Sequence, residues 1–178
     1  GEYIVLIDGD MILHHNFIAD HEKNAEDGFF IQGTRVLLTQ DRVNKVFKNH
    51  TINFSFLSEG LKNRKNAIHS NFLSKLFSIK KNSLYGLKTC NVAFFKKDCV
   101  SVNGFNNDFE GWGREDNEFF VRLINKGINR KTLRFNAIQY HLWHIDASRK
   151  SVLQNEEILR KAIIENLNWC ENGINNFL

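Results

Sequence analysis

Two acidic clusters far apart in the chain carry the residue types that could do chemistry. Asp8-Gly9-Asp10 closes the apolar run Tyr3-Ile4-Val5-Leu6-Ile7, and Gly111-Trp112-Gly113-Arg114-Glu115-Asp116 sets an aromatic between two glycines directly against two carboxylates. Carboxylates one residue apart can present oxygens to a hard divalent cation such as Mg²⁺ or Mn²⁺, and Gly9 lets backbone and ligand approach closely. Trp112 offers a flat apolar platform on which a sugar ring stacks. An ionised carboxylate in a pocket can take a proton from a hydroxyl, which transfer to an alcohol requires. The bland alternative for each cluster is helix capping: Asp10 ahead of Met11, and Asp116 with Glu115 merely exposed.

Those residues need elements to hold them. Residues 3–7 read as a buried strand whose carboxyl end opens into a loop, the place where open α/β sheets bind ligands. Phe119, Phe120, Leu123 and Ile124 fall at helical spacing and stop at Lys126-Gly127, so Glu115 and Asp116 start a helix, where its dipole favours anions. A short helix is expected over 16–25, one strand over 29–38, and a basic amphipathic helix over 62–81 with Ile68, Phe72, Leu73, Leu76 and Phe77 on one side. Ser151-Val152-Leu153-Gln154 has capping-box form and opens a C-terminal helix over 151–169, read as scaffold. Strand–helix alternation predicts an α/β fold.

The stretch Thr89-Cys90-Asn91-Val92-Ala93-Phe94-Phe95-Lys96-Lys97-Asp98, with Asn103-Gly104-Phe105 and Gly111-Trp112-Gly113-Arg114-Glu115-Asp116, resembles the C-terminal region of β-1,4-galactosyltransferases and related bacterial family 2 glycosyltransferases. Asp8-Gly9-Asp10 then stands where the family has its metal-binding Asp-x-Asp. The resemblance implies a GT-A (nucleotide-diphospho-sugar transferase) fold, a mixed sheet flanked by helices, forming a single catalytic domain over 1–178. It implies a nucleotide-sugar donor, usually UDP-linked, a glycan acceptor, and Mn²⁺ or Mg²⁺ to neutralise the leaving diphosphate. GT-A enzymes place several nucleotide-binding strands ahead of the Asp-x-Asp strand, so the chain is expected to be the C-terminal portion of such a domain, and such a portion alone can lack activity.

Carried over residue by residue, the resemblance makes Asp116 the general base. Glu115 would bond sugar hydroxyls, and Trp112, Gly113 and Arg114 would complete the acceptor site. Asp10 would be the firmer metal ligand, with Asp8 nearer the donor. Related polypeptide N-acetylgalactosaminyltransferases, which retain configuration, carry Asn where Asp116 stands, so a carboxylate favours inversion. Arg114 departs from the glycine usual there and could meet a diphosphate or an acidic acceptor. A histidine after the next strand often supplies a further metal ligand in such enzymes, and His141 and His144 both qualify. In an extended run they face opposite ways, so one of the two, by position His141, is expected to reach the metal. Arg149 and Lys150 fall where the family has a mobile segment over the donor, and there could hold the diphosphate. His14, His15, His21, His50 and His69 have no such context.

Two other classes stay open. A strand ending in Asp-x-Asp also resembles haloacid-dehalogenase-like phosphatases, with Asp8 as nucleophile and Asp10 as general acid, although Ile12 stands where that family has Thr or Ser. A non-catalytic sugar-binding module would use Trp112 and a structural cation.

Composition bounds these readings. The 178 residues, 42% hydrophobic and 25% charged, suffice for one core. Cys90, Cys99 and Cys170 form neither an even set nor a Cys-x-x-Cys pair, so disulfides and structural zinc are not expected and a reducing cytoplasm fits. No run approaches the roughly twenty apolar residues of a membrane span. The net charge of +4 concentrates over 62–81, where docking on the inner face of an anionic membrane, close to lipid-linked precursors of lipopolysaccharide or capsule, competes with a helix packed on the core. No nucleic-acid-binding pattern accompanies the charge.

Overall fold

The computed structural model describes residues 1–84, 86–111, 113–145 and 152–177. The described residues are mixed α/β and form two sheets, where a mixed sheet flanked by helices was expected. The first has the order β1 (Tyr3–Ile7), β7 (Asn91–Phe95), β3 (Phe29–Gln32), β8 (Asn129–Thr132), β6 (Ile79–Lys80). The second runs β2 (Met11–Leu13), β9 (Ile138–His141), β4 (Thr34–Leu38), β5 (Leu61–Lys62). Both mix parallel and antiparallel pairs, with β3 parallel to β8 and β4 parallel to β9. Helices α1 (Phe17–Asn24), α2 (Gln40–Asn49), α3 (Asn71–Phe77), α4 (Lys96–Ser101), α5 (Glu115–Asn125) and α6 (Val152–Ile164) connect and cover them.

β1 forms with the expected bounds but stands at the margin of its sheet and is half-buried rather than buried. The single strand expected over 29–38 is two strands. The break is at Gly33, where a Cβ would lie 2.2 Å from Asn91 Oδ1. Asn91 is fully buried and ties the two sheets together: its Nδ2 donates to the carbonyls of Thr34 and Ala137, and its Oδ1 accepts from His21 Nε2. Any side chain at Gly33 would displace that amide.

α5 lays Phe119, Phe120 and Leu123 on the first sheet in the largest core cluster, with Phe30, Val92 and Phe94. The Phe30 and Phe120 rings stack at 4.8 Å. The helix ends where the sequence predicts, as Gly127 takes the left-handed conformation and Ile128 N–H caps the Leu123 carbonyl. α6 packs on α5 through Leu159 and Ala162 against Val121. It stops at Ile164, short of the expected 169, because left-handed Asn166 turns the chain and Leu167 N–H bonds the Ala162 carbonyl; Trp169 lies beyond the helix. Ser151 of the capping box lies outside the described residues.

No continuous helix spans 62–81. The segment is broken into β5, a 3₁₀ turn (Arg64–Ala67), α3 and β6. Left-handed Asn63 and the extended Ile68 and Ser70 interrupt it. In α3 the buried residue is Ser74, while Phe72, Leu76 and Phe77 face solvent.

Candidate functional site

Strand pairing explains how the two acidic clusters meet. β1 pairs with β7, placing Ile7 opposite Asn91, so the chain just before β7 (Thr89, Cys90) runs beside Asp8. Asp8-Gly9-Asp10 is the turn by which the chain leaves the first sheet for the second, where Met11 of β2 sits opposite His141 of β9. The junction opens into a cavity of about 1080 Å³ lined by Asp8, Asp10, Glu115, Asp116, His141 and His144. Gly113 and Arg114 also line it. Trp112, Arg149 and Lys150 lie outside the described residues.

Asp10 Oδ2 lies 3.2 Å from His141 Nε2 and 3.0 Å from His144 Nε2, so both histidines reach it. The expected opposite facing does not hold, because β9 ends at His141 and the chain no longer alternates beyond it. His144 Nδ1 is 2.9 Å from the Ile145 carbonyl, which can only accept, so Nδ1 carries the proton. In the neutral ring Nε2 is then bare and opposes a carboxylate oxygen, an arrangement that needs a proton or a cation between them. Asp10 Oδ1 is buried and finds no partner among the described residues. One carboxylate oxygen and two imidazole nitrogens form a donor set that could hold a first-row divalent ion such as Mn²⁺. Burial and the nearby charges of Asp10 and Asp116 push the Asp8 carboxyl up, against the opposing pull of His141 and Arg35.

Asp116 is held by a different element. Both of its oxygens accept from Thr89, one from the backbone N–H at 3.0 Å and one from the hydroxyl at 2.9 Å. Each oxygen keeps a lone pair for an incoming hydroxyl. Glu115 turns back on its own loop, where Oε2 accepts the Gly113 N–H at 2.9 Å. Asn155 of α6 steadies that loop by donating to the carbonyls of Glu110 and Gly113. Arg114 takes a left-handed φ of 75° and pairs with Glu156 at 2.5 Å on the half-exposed surface, so its charge is shared with α6.

Several cavity residues escaped the sequence reading. Arg35 was legible in principle: β4 alternates buried Thr34, Val36 and Leu38 with half-buried Arg35 and Leu37, which puts Arg35 on the cavity side. Lys62 and Lys88 bring further positive charge, and Trp143 supplies an aromatic wall. No local pattern singles out Thr89 as Asp116's partner, since the contact crosses 27 positions.

A second histidine group, His14, Asp20 and His69, was also missed because its members lie on three separate elements. Asp20 is buried and accepts from Asn136 Nδ2, from the Ala137 N–H and from His69 Nε2. Its oxygens are thus occupied, and it joins α1 to the chain ahead of α3 and β9. Burial, then the neighbouring His15 and His69, push His14 down to about 4, with Asp20 opposing. The folded His14 therefore resists a proton that the unfolded chain accepts near its usual 6.5. With chelator present, stability should fall as pH drops from about 6.5 to about 4, and less steeply in His14→Gln. Thermal denaturation across that range checks this; identical profiles would refute the His14 contribution. His21, also pushed down by burial, gives a slope of the same sign in both proteins.

Among known proteins, residues 73–145 match a family model described as the N-terminal domain of galactosyltransferase. A stretch of 37 residues, 21% of this chain, is 43% identical to β-1,4-galactosyltransferase 1 of Mus musculus and spans 9% of that protein. The chain therefore contains a galactosyltransferase-like segment and spans only a small part of that relative's length. Thr89, Asp116, His141 and His144 fall inside the matched residues; Asp8 and Asp10 precede them.

Proposed function

We propose that the chain is a catalytic region of a GT-A type, metal-dependent, inverting glycosyltransferase. It would move a hexose or N-acetylhexosamine from a UDP-sugar to a sugar hydroxyl of a bacterial glycan. The observation that carries this reading is that one cavity is lined by a Thr89-held carboxylate, Asp116, and by an Asp10–His141–His144 donor set with an orphaned carboxylate oxygen. Neither a structural cation alone nor a lone capping aspartate accounts for both.

In this mechanism Asp10, His141 and His144 would hold a divalent cation, which when bound would offset the negative charge of a departing diphosphate. Arg35, Lys62 and Lys88 contribute positive charge to the same cavity and stabilise the phosphates as they gain charge. Asp116, oriented by Thr89, accepts the proton of the acceptor hydroxyl as its oxygen attacks the anomeric carbon from the face opposite the leaving group. Glu115 keeps the Gly113 turn closed beside that carboxylate, and Trp143 offers an apolar face to a sugar ring. Asp116 takes the proton while the bond from the anomeric carbon to the diphosphate oxygen breaks and the diphosphate leaves with its electron pair, so one displacement suffices.

Calorimetric titration of Mn²⁺ followed by UDP tests the reading. The unmodified chain should bind Mn²⁺, and UDP more tightly with the metal than without it. Asp10→Ala should weaken Mn²⁺ by more than about 100-fold, because loss even of outer-shell partners costs 10–100-fold. Normal Mn²⁺ affinity in folded Asp10→Ala would remove the assigned centre. A folded chain that binds a sugar but neither Mn²⁺ nor UDP would be a sugar-binding module.

A further inference from the structure

The longest uniformly charged part of the sequence lies outside the cavity. From Gly60 to Lys97 there is no Asp or Glu, while nine Lys and Arg occur. Within it, α3 and β6 expose Phe72 at 70%, Leu76 at 61%, Phe77 at 50% and Ile79 at 45%. Phe72 and Leu76 are four residues apart on one side of α3, with Lys75 between them in the next row. Phe77 meets the Phe135 ring edge-on, at 5.8 Å between ring centroids. β6 carries Lys80 and Lys81 follows it, at the outer margin of the first sheet. Lys75 and Lys81 make no ion pair among the described residues, whereas Lys80 pairs with Glu26.

Four large apolar side chains left in water beside unpaired ammonium groups have no folding rationale, because α3 buries Ser74 instead. We propose that this face, residues 72–81, docks on an anionic lipid bilayer. Phe72, Leu76 and Phe77 enter the boundary between headgroups and acyl chains, while Lys75 and Lys81 reach along their stems to lipid phosphates. A bilayer fits better than an acidic protein groove because short exposed elements with rotatable lysines need no matching shape, only negative charge over an apolar layer. No helix among the described residues is long and apolar enough to cross a membrane, so the contact is peripheral at this face. The inference needs no assumption about the cavity.

Co-sedimentation of the chain with phosphatidylcholine vesicles, with and without phosphatidylglycerol, tests it. The chain should sediment with the mixed vesicles and stay in solution with the neutral ones, and added salt should weaken binding. Lys75→Glu with Lys81→Glu should weaken it by at least about fivefold for each charge removed from the surface. Phe72→Ser with Leu76→Ser should weaken it by about tenfold or more at any salt. These side chains are absent from the cavity lining and Phe72 and Leu76 are exposed, so an unchanged thermal unfolding midpoint in each variant shows that the fold is intact. Equal sedimentation with both vesicle types, or variants that sediment like the parent, overturns the proposal. So does retention on a soluble polyanion such as heparin without vesicle binding, which would point to a nucleic-acid-like or acidic partner.

Discussion

Asp116→Asn is expected to slow glycosyl transfer by about 10²–10⁴-fold, the range that a positioned general base contributes. The amide is nearly isosteric and can keep one of the two Thr89 hydrogen bonds, so the loop and α5 should remain in place. What it lacks is basicity toward the acceptor hydroxyl. Mn²⁺ and UDP affinity should therefore match the parent in calorimetry while the transfer rate collapses. A rate within a few-fold of the parent would remove Asp116 as the base and leave it as a tether for the Thr89 backbone. Thr89→Val separates the two roles further: Asp116 would keep its carboxylate and lose one orienting donor, giving a smaller loss than Asp116→Asn.

The largest stability effect is expected one turn deeper in the same helix. Arg122 is completely buried and Glu118 is 2% exposed. They form a bidentate pair, Nε to Oε1 at 2.7 Å and Nη2 to Oε2 at 2.8 Å, and Arg122 Nη1 also donates to the Val102 carbonyl. The guanidinium lies 5.7 Å from the Phe119 ring centre. Arg122→Ala leaves a carboxylate in the core without its partner and a carbonyl without its donor, at a cost of about 3–5 kcal/mol. For a domain of this size each kcal/mol lowers the midpoint of thermal unfolding by roughly 2–4 °C. Adding Glu118→Leu to an Arg122→Met chain should recover much of the loss, since an apolar pair of similar volume removes the stranded charge. If Arg122→Ala melts with the parent, the pair is energetically neutral. If the double variant is as unstable as the single, the Val102 contact rather than the ion pair dominates.

The two predictions meet in α5, which anchors Asp116 at its solvent end and the core at its middle. The helix was legible because its signals are local: apolar residues at helical spacing, acids in the first turn and a glycine stop. The same is true of β1, α1 and the apolar periodicity of α6. The split of 29–38 was not legible, because it depends on Asn91, which lies far along the chain and needs the space above Gly33. The segment over 62–81 misled for a related reason. Its apolar spacing suits a helix, but nothing in that spacing says whether a core is available to cover it, and the chain breaks at Asn63, Ile68 and Ser70 instead. The motif residues Asn103 and Gly104 hold the C-terminal segment rather than the cavity: Asn103 bonds Cys170 and Asn175, and Gly104 leaves room for Ile174.

By itself the sequence determined the two acidic motifs and the helix that presents Asp116, since residue type and short-range periodicity are written locally. Only the tertiary structure decided that His141 and His144 both converge on Asp10, that Thr89 holds Asp116, and that Arg35 and Lys62 add charge to the cavity. Each of these depends on pairings between strands distant in the chain, and a pattern of residues cannot state which strands will pair until burial of both faces selects the sheet order.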